Sequence, residues 1–297
     1  MLSEPISPTT DLAFKKLFAS EEHRNIIQHF LADILGVEAT INDIHIRNPY
    51  NIHSYLEQRA KAEIEVATEM VMRATYRDVT MSVIDVGDIT IEMQLLAPDY
   101  LMQRLHYYLD SLFVSNYNNN VPREQVKYSS LKPVQSLNIL GFNMFEGDDR
   151  ALRTFTYHDT ATLAQLESTP FKQISFLELN KPNAAKPVSA WQNFIKSGQP
   201  QPDDPSYLQE AGKILSYQNL HPEERAVIDA ETKARDTAQA ILSRARNEGR
   251  DEGRYEGRDE ALILVVKKSL SKGLEPSLIA SITDMDITVI EKLAISN

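Results

Sequence analysis

The chain of 297 residues contains no cysteine. That absence excludes a disulfide framework, a thiolate-held metal and a cysteine nucleophile. No apolar run approaches the roughly 18 residues that a bilayer-spanning helix needs. The opening residues, Met1 to Pro5, lack the basic and apolar regions of a signal peptide. A cytoplasmic protein is the expectation. Positive charge is also in short supply: 31 lysines and arginines face 42 aspartates and glutamates, a net charge of −11. Coating nucleic acid through bulk charge is therefore disfavoured. A local basic strip beside a carboxylate centre stays open, because net charge says nothing about arrangement. The seven histidines show no helical metal-binding spacing, and no cysteine is present to complete a zinc site. A glycine-rich phosphate loop and a Gly-x-Ser-x-Gly elbow are both missing, which argues against an ATPase or a serine hydrolase.

What remains is an ordinary globular composition, 42% hydrophobic and 25% charged, long enough for one large domain with an appendage. Ser7 to Thr10 supplies a helix start, and Phe14, Leu17 and Phe18 follow at helical spacing. Ile26, Ile27, Phe30, Leu31 and Leu35 form the apolar face of a second helix that stops at Gly36. A loop is expected around 48–51, whereas 54–77 reads equally as helix or strand. Residues 78–85 and 89–96 read as strands joined through Val86, Gly87 and Asp88. An amphipathic helix is expected over 99–115, with Tyr107 and Tyr108, like Phe14 and Phe18, assigned to the core. Strands are expected over 134–145 and 174–179, and a helix over 191–195. This alternation indicates a mixed α/β domain.

Near residue 221 the composition becomes charged and helix-favouring. The expected domains are 1–220, a charged helical linker over 221–260, and a small helical hairpin over 261–297. Within the linker, Glu-Gly-Arg recurs at a period of four and aligns Gly249, Gly253 and Gly257. Glycine costs up to about 1 kcal/mol in a helix interior. The stripe is either a solvated linker helix or a seam for pairing two copies.

The residues with most chemical content lie between Tyr76 and Gln94. Asp78 begins one strand, Glu92 lies 14 positions later in the returning strand, and Gln94 shares the side of Glu92. Two carboxylates on paired strands can share a divalent cation. Mg²⁺ suits such a place, because it takes oxygen ligands, keeps several waters and needs only one or two carboxylates. Parity supplies a test: antiparallel partners have position numbers with a constant sum. Asp78 and Glu92 share a face only if the loop has an odd number of residues. A three- or five-residue loop with Gly87 in a left-handed conformation is therefore expected; a two-residue turn would separate the acids.

Several segments then occur in a suggestive order. They are Asp11-Leu-Ala-Phe14-Lys15-Lys-Leu-Phe18, Asp78 followed by Ile91-Glu92-Met93-Gln94, Arg104-Leu-His-Tyr107-Tyr108, and Tyr128-Ser-Ser-Leu131-Lys132-Pro133-Val134. With Phe176-Leu-Glu178-Leu-Asn-Lys181, the Glu-Gly-Arg tail and the terminal hairpin, this set resembles the PD-(D/E)xK nuclease family transposases, or recombination-promoting nucleases. The resemblance spans nearly the whole chain.

It implies a restriction-endonuclease-like α/β fold, a mixed sheet core flanked by helices, with a C-terminal helical extension. It also implies cleavage of DNA that depends on Mg²⁺ or Mn²⁺ and is linked to transposition. Carried onto this chain, Asp78 and Glu92 are the metal ligands and Gln94 is the third catalytic residue, standing where the wider superfamily has lysine. Asp11 matches a family position and is either a supporting acid or a helix cap. Arg104 is a phosphate contact or an ordinary ion-pair partner, and Lys127 and Lys132 are candidates to flank the DNA. DNA is the expected partner, a homodimer through the C-terminal helices is a further expectation, and no membrane is involved. Glu178 and Lys181 imitate an acid–lysine motif, but their spacing assigns Glu178 a structural place at a strand end. The rival reading is a non-catalytic protein of nuclease fold that acts through its helical tail.

Overall fold

The computed structural model describes residues 5–47, 49–57, 77–84, 86–97, 99–119, 128 and 131–295. Their contacts divide the chain into two compact units, Met1–Glu231 and Thr232–Asn297. The first is built on a six-stranded mixed sheet: β1 (Ile44–Ile46), β2 (Arg77–Val83), β3 (Gly87–Gln94), β4 (Val134–Leu140), β5 (Leu152–Phe155) and β6 (Lys172–Glu178). The spatial order is β1-β2-β3-β4-β6-β5. β3, β4 and β6 run parallel, and the outer pairings are antiparallel. With helices flanking the sheet, this is the expected restriction-endonuclease-like α/β fold.

The two sides of the sheet differ in chemistry because side chains alternate along a strand. Val79, Met81, Val83, Ile89, Ile91, Met93, Leu137, Ile139 and Leu177 are buried in the main apolar core. The helices that contribute to that core include α1 (Asp11–Phe18), α2 (Arg24–Leu35), α4 (Val188–Ser197) and α5 (Ser206–Ile214). In α1 the buried residues are Leu12, Ala13, Phe14, Leu17 and Phe18, so the expected core positions Phe14 and Phe18 are fulfilled. In α2 they are Ile26, Ile27, Phe30, Leu31 and Ile34, and Gly36 closes the helix at φ +66°. Trp191 joins Phe18, Phe30 and Phe194 at centroid distances of 6.2, 4.9 and 6.2 Å.

The other side is covered by α3 (Leu101–Asn119), which joins β3 to the parallel β4. Leu101, Leu105 and Leu109 pack with Val134, Leu140, Ile174 and Phe176. That stripe repeats every four residues and leaves Tyr107 and Tyr108 on the open side of the helix. They are 69% and 43% exposed, which corrects their assignment to the core.

Residues 52–57 are helical, Arg77 belongs to β2, and the remainder of the ambiguous segment, 58–76, lies outside the described residues. The strand expected over 134–145 ends at Leu140. Strands β1 and β5 and helix α5 have no counterpart in the expectations.

A long helix, α6 (Pro222–Ser271), leads to α7 (Pro276–Thr283) and α8 (Ile287–Ile295). In the second unit Val266, Ile279 and Ile290 form a small core. Among the described residues a Cβ at Gly249, Gly253 or Gly257 would meet nothing within 4 Å. Among the described residues no helix is long and apolar enough to cross a membrane.

Candidate active site

The β2–β3 hairpin sets the geometry. Val83 pairs with Gly87, which leaves a three-residue loop, and the same register makes Asp78 the partner of Glu92. The parity requirement is met: the two residues occupy one face of the sheet. Gly87 has a positive φ of 123°, though as the first residue of the returning strand and not as a loop residue in the left-handed helical region. Its need for glycine is doubled by packing. A Cβ would stand 2.1 Å from the carbonyl oxygen of Pro133, while the next amide, Asp88 N–H, donates to that oxygen at 2.9 Å. The hairpin is thereby locked to the start of β4.

All eight residues of β3 are buried, yet the face that carries Glu92 is polar: Asp88, Thr90, Glu92 and Gln94. Register extends this face to Thr80 and Ser82 on β2 and to Ser136 and Asn138 on β4. Four polar side chains in an otherwise apolar, fully buried strand are costly unless each is hydrogen-bonded or used. Gln94 Nε2 donates to Glu92 Oε2 at 3.4 Å and holds that carboxylate from one side. Asn138, the parallel partner of Glu92, is fully buried. Its Nδ2 donates to Ser136 Oγ at 3.0 Å and to the Ser175 carbonyl at 3.3 Å, whereas its Oδ1 has no hydrogen-bond partner among the described residues. The Asp78 side chain lies outside what the structure describes; its backbone register gives its position.

At the hairpin end of this face stands a second polar group. Asp88 is paired with the Arg47 guanidinium and accepts a hydrogen bond from Ser82 Oγ at 2.6 Å. Arg47 also donates to Ser82 Oγ at 3.2 Å and to Asn116 Oδ1, on α3, at 3.4 Å. The cluster joins the residue that follows β1 to β2, β3 and α3 around one buried carboxylate. Sequence reasoning missed Arg47, Asp88, Asn116 and Asn138. The alternation of polar residues at 88, 90, 92 and 94 was the signal that could have found the polar face, but Asp88 was absorbed into the turn.

The remaining candidates are distributed around this centre. Asp11 is not the cap of α1, which is Thr10; it stands in the first turn, 3.6 Å from Lys15 Nζ. Asp11 and Glu231 both act on Tyr55, whose hydroxyl donates to Glu231 at 2.8 Å. Burial first, and then these two carboxylates, push the Tyr55 hydroxyl well above its ordinary pKa. Arg104 is half-buried on α3 with its guanidinium 5.6 Å from the Tyr108 ring centroid. Lys132 is exposed just before β4, and Lys127 lies outside the described residues. Glu178 accepts the backbone N–H groups of Met144 and Phe145 at 2.6 and 3.2 Å, as a structural acid at a strand end does. Lys181 Nζ donates to the carbonyls of Phe145 and Asp148 at 2.7 and 2.5 Å and secures the same loop.

The residues on the polar face suit a hard divalent cation. Every donor is oxygen or amide, and no group of three or more histidines and acids that could hold a metal occurs among the described residues. Glu92 and its register partner Asp78 would supply the one or two carboxylates that Mg²⁺ commonly takes beside its waters. The orphaned Asn138 Oδ1 points the same way, because a buried acceptor left unpaired costs about 1–3 kcal/mol.

A family model described as PD-(D/E)XK nuclease family transposase matches residues 8–245. The match includes the whole sheet and every residue of the polar face. No curated protein and no solved structure matches the chain significantly.

Proposed function

Because the chain belongs to the PD-(D/E)XK nuclease family transposases, we propose that it is a Mg²⁺-dependent DNA endonuclease that hydrolyses phosphodiester bonds in transposition or recombination. The observation that carries this reading is the pairing of Asp78 with Glu92 on a buried polar face. In this proposal the two carboxylates hold the cation, with Mn²⁺ as an alternative to Mg²⁺. When bound, the ion polarises the phosphodiester and lowers the pKa of a coordinated water.

The chain's own residues do the rest. Gln94 donates through Nε2 to Glu92, which orients that carboxylate, and in this reading the Oε1 of Gln94 itself accepts a hydrogen bond from the attacking water. Glutamine brings no charge, so its contribution is orientation; a lysine would also offset the charge that grows on the five-coordinate phosphorus. Arg104 and Lys132 supply the positive charge for the DNA backbone in this scheme. Asp11, tied to Lys15 and Tyr55, acts as a supporting acid for the helix that carries it.

The test is nicking of a supercoiled plasmid in Mg²⁺ by the full chain, beside Asp78→Ala and Glu92→Ala. Nicking by the wild type, lost in both variants, is expected. Equal activity in all three proteins, or none in any, removes the enzymatic reading.

A further inference from the structure

Asn138 stands beside Glu92 in the register of the parallel β3–β4 pair, as Asp78 does in the antiparallel β2–β3 pair. Asp78, Glu92 and Asn138 therefore form one row across three strands, with neighbouring backbones about 4.8 Å apart. The orientation of the Asn138 amide is fixed by its partners. The Ser175 carbonyl can only accept, so the nitrogen faces it, and the oxygen is the end left over. That oxygen is enclosed, because the residue is 0% exposed, and among the described residues it has no donor. A structural asparagine in a strand would have both ends of its amide engaged. The unused acceptor calls for an O–H donor on the polar face, and a water bound to a cation is the strongest donor that such a place can receive.

We propose that Asn138 is a positioning residue of the metal centre: its Oδ1 accepts a hydrogen bond from a water coordinated to the cation that Asp78 and Glu92 hold. This rests on the functional reading above and adds to it a third residue, from β4. The lateral spacing favours contact through a water over direct ligation, because an ion between β2 and β3 is one strand further from β4 than from Glu92. Mg²⁺ and Mn²⁺ both keep waters for such a contact. Outer partners of this kind commonly change metal affinity 10- to 100-fold when removed.

The experiment is calorimetric titration of the full chain with Mn²⁺, without DNA, for the wild type, Asn138→Leu and Asn138→Asp, each checked for folding by circular dichroism. Asn138→Leu is expected to weaken Mn²⁺ binding at least about tenfold. Asn138→Asp keeps an acceptor but loses the donor to Ser175. It is expected to bind Mn²⁺ as tightly as the wild type or more tightly, even with a lower melting temperature. Wild-type affinity in a folded Asn138→Leu overturns the proposal, and so does an Asn138→Asp protein that binds as poorly as Asn138→Leu, since only the lost donor would then matter. Should Asn138→Leu fail to fold, the Asn138→Asp titration decides alone: affinity at or above wild type supports the acceptor role and weaker binding overturns it. A wild type that binds no Mn²⁺ overturns the functional reading itself, whereas a binding wild type with an indifferent Asn138→Leu overturns only the role of Asn138.

Discussion

Asp78 and Glu92 are direct register partners across the β2–β3 hairpin, separated in sequence by a turn whose three residues set the parity of the pairing. A loop shorter or longer by one residue would place the acids on opposite faces of the sheet. The candidate chemistry of the chain therefore depends on the turn as much as on the acids.

Gly87→Ala tests that dependence. The added methyl meets the Pro133 oxygen at 2.1 Å, at a φ of +123° that L-residues rarely adopt. Backbone strain and overpacking together predict a loss of about 2–5 kcal/mol, measured by urea denaturation. Wild-type stability would show that the hairpin yields more easily than its contacts indicate.

Gln94→Leu separates orientation from binding. Its hydrogen bond to Glu92 and its acceptor for water both disappear, while both carboxylates stay. Cleavage is expected to fall roughly 100-fold, the scale of losing one positioned polar group in an active site. Mn²⁺ affinity is expected to fall much less. A plasmid-nicking time course beside a metal titration reads both quantities, and equal losses in the two would refute the assigned role.

Glu224 ties the start of α6 to α1. It accepts from Lys16 Nζ at 2.7 and 2.9 Å, from Tyr50 Oη at 2.8 Å and from His221 N at 2.9 Å. Burial alone would raise the Glu224 carboxyl, but these hydrogen bonds and the Lys16 charge outweigh it and hold the group below its ordinary 4.5. A depressed folded pKa means that the unfolded chain takes up the proton first. The stabilisation is complete above about pH 4.5 and is lost as the pH falls through the folded value. Glu224→Gln is expected to cost about 1–3 kcal/mol at neutral pH and to flatten the acid limb of the stability curve. Thermal melts between pH 3 and 7 check it; an unchanged acid limb would contradict the assignment.

Much of this architecture was legible from local pattern. The apolar faces of α1 and α2 repeat at helical spacing and Gly36 ends α2 as expected. The hairpin was legible at Val86, Gly87 and Asp88, although the loop is 84–86 and Gly87 and Asp88 already belong to β3. β1 and β5 escaped because three- and four-residue strands are too short to show a period. Tyr107 and Tyr108 were misassigned because an apolar-looking ring says nothing about which side of a helix the neighbouring leucines will bury. The polar face was half visible. Glu92 and Gln94 share a strand, so their common side follows from alternation alone, whereas Asn138 joins them only through the β3–β4 register, a long-range pairing with no local signal. Arg47 meets Asp88 for the same non-local reason.

The most direct measurement of the shared-cation claim is a double-mutant cycle on Mn²⁺ affinity, with Asp78→Asn, Glu92→Gln and the double variant titrated beside the wild type. If both carboxylates grip one ion, each single change removes most of the binding, and the double change adds little to either. Single variants that retain wild-type affinity, or losses that simply add, would contradict the account.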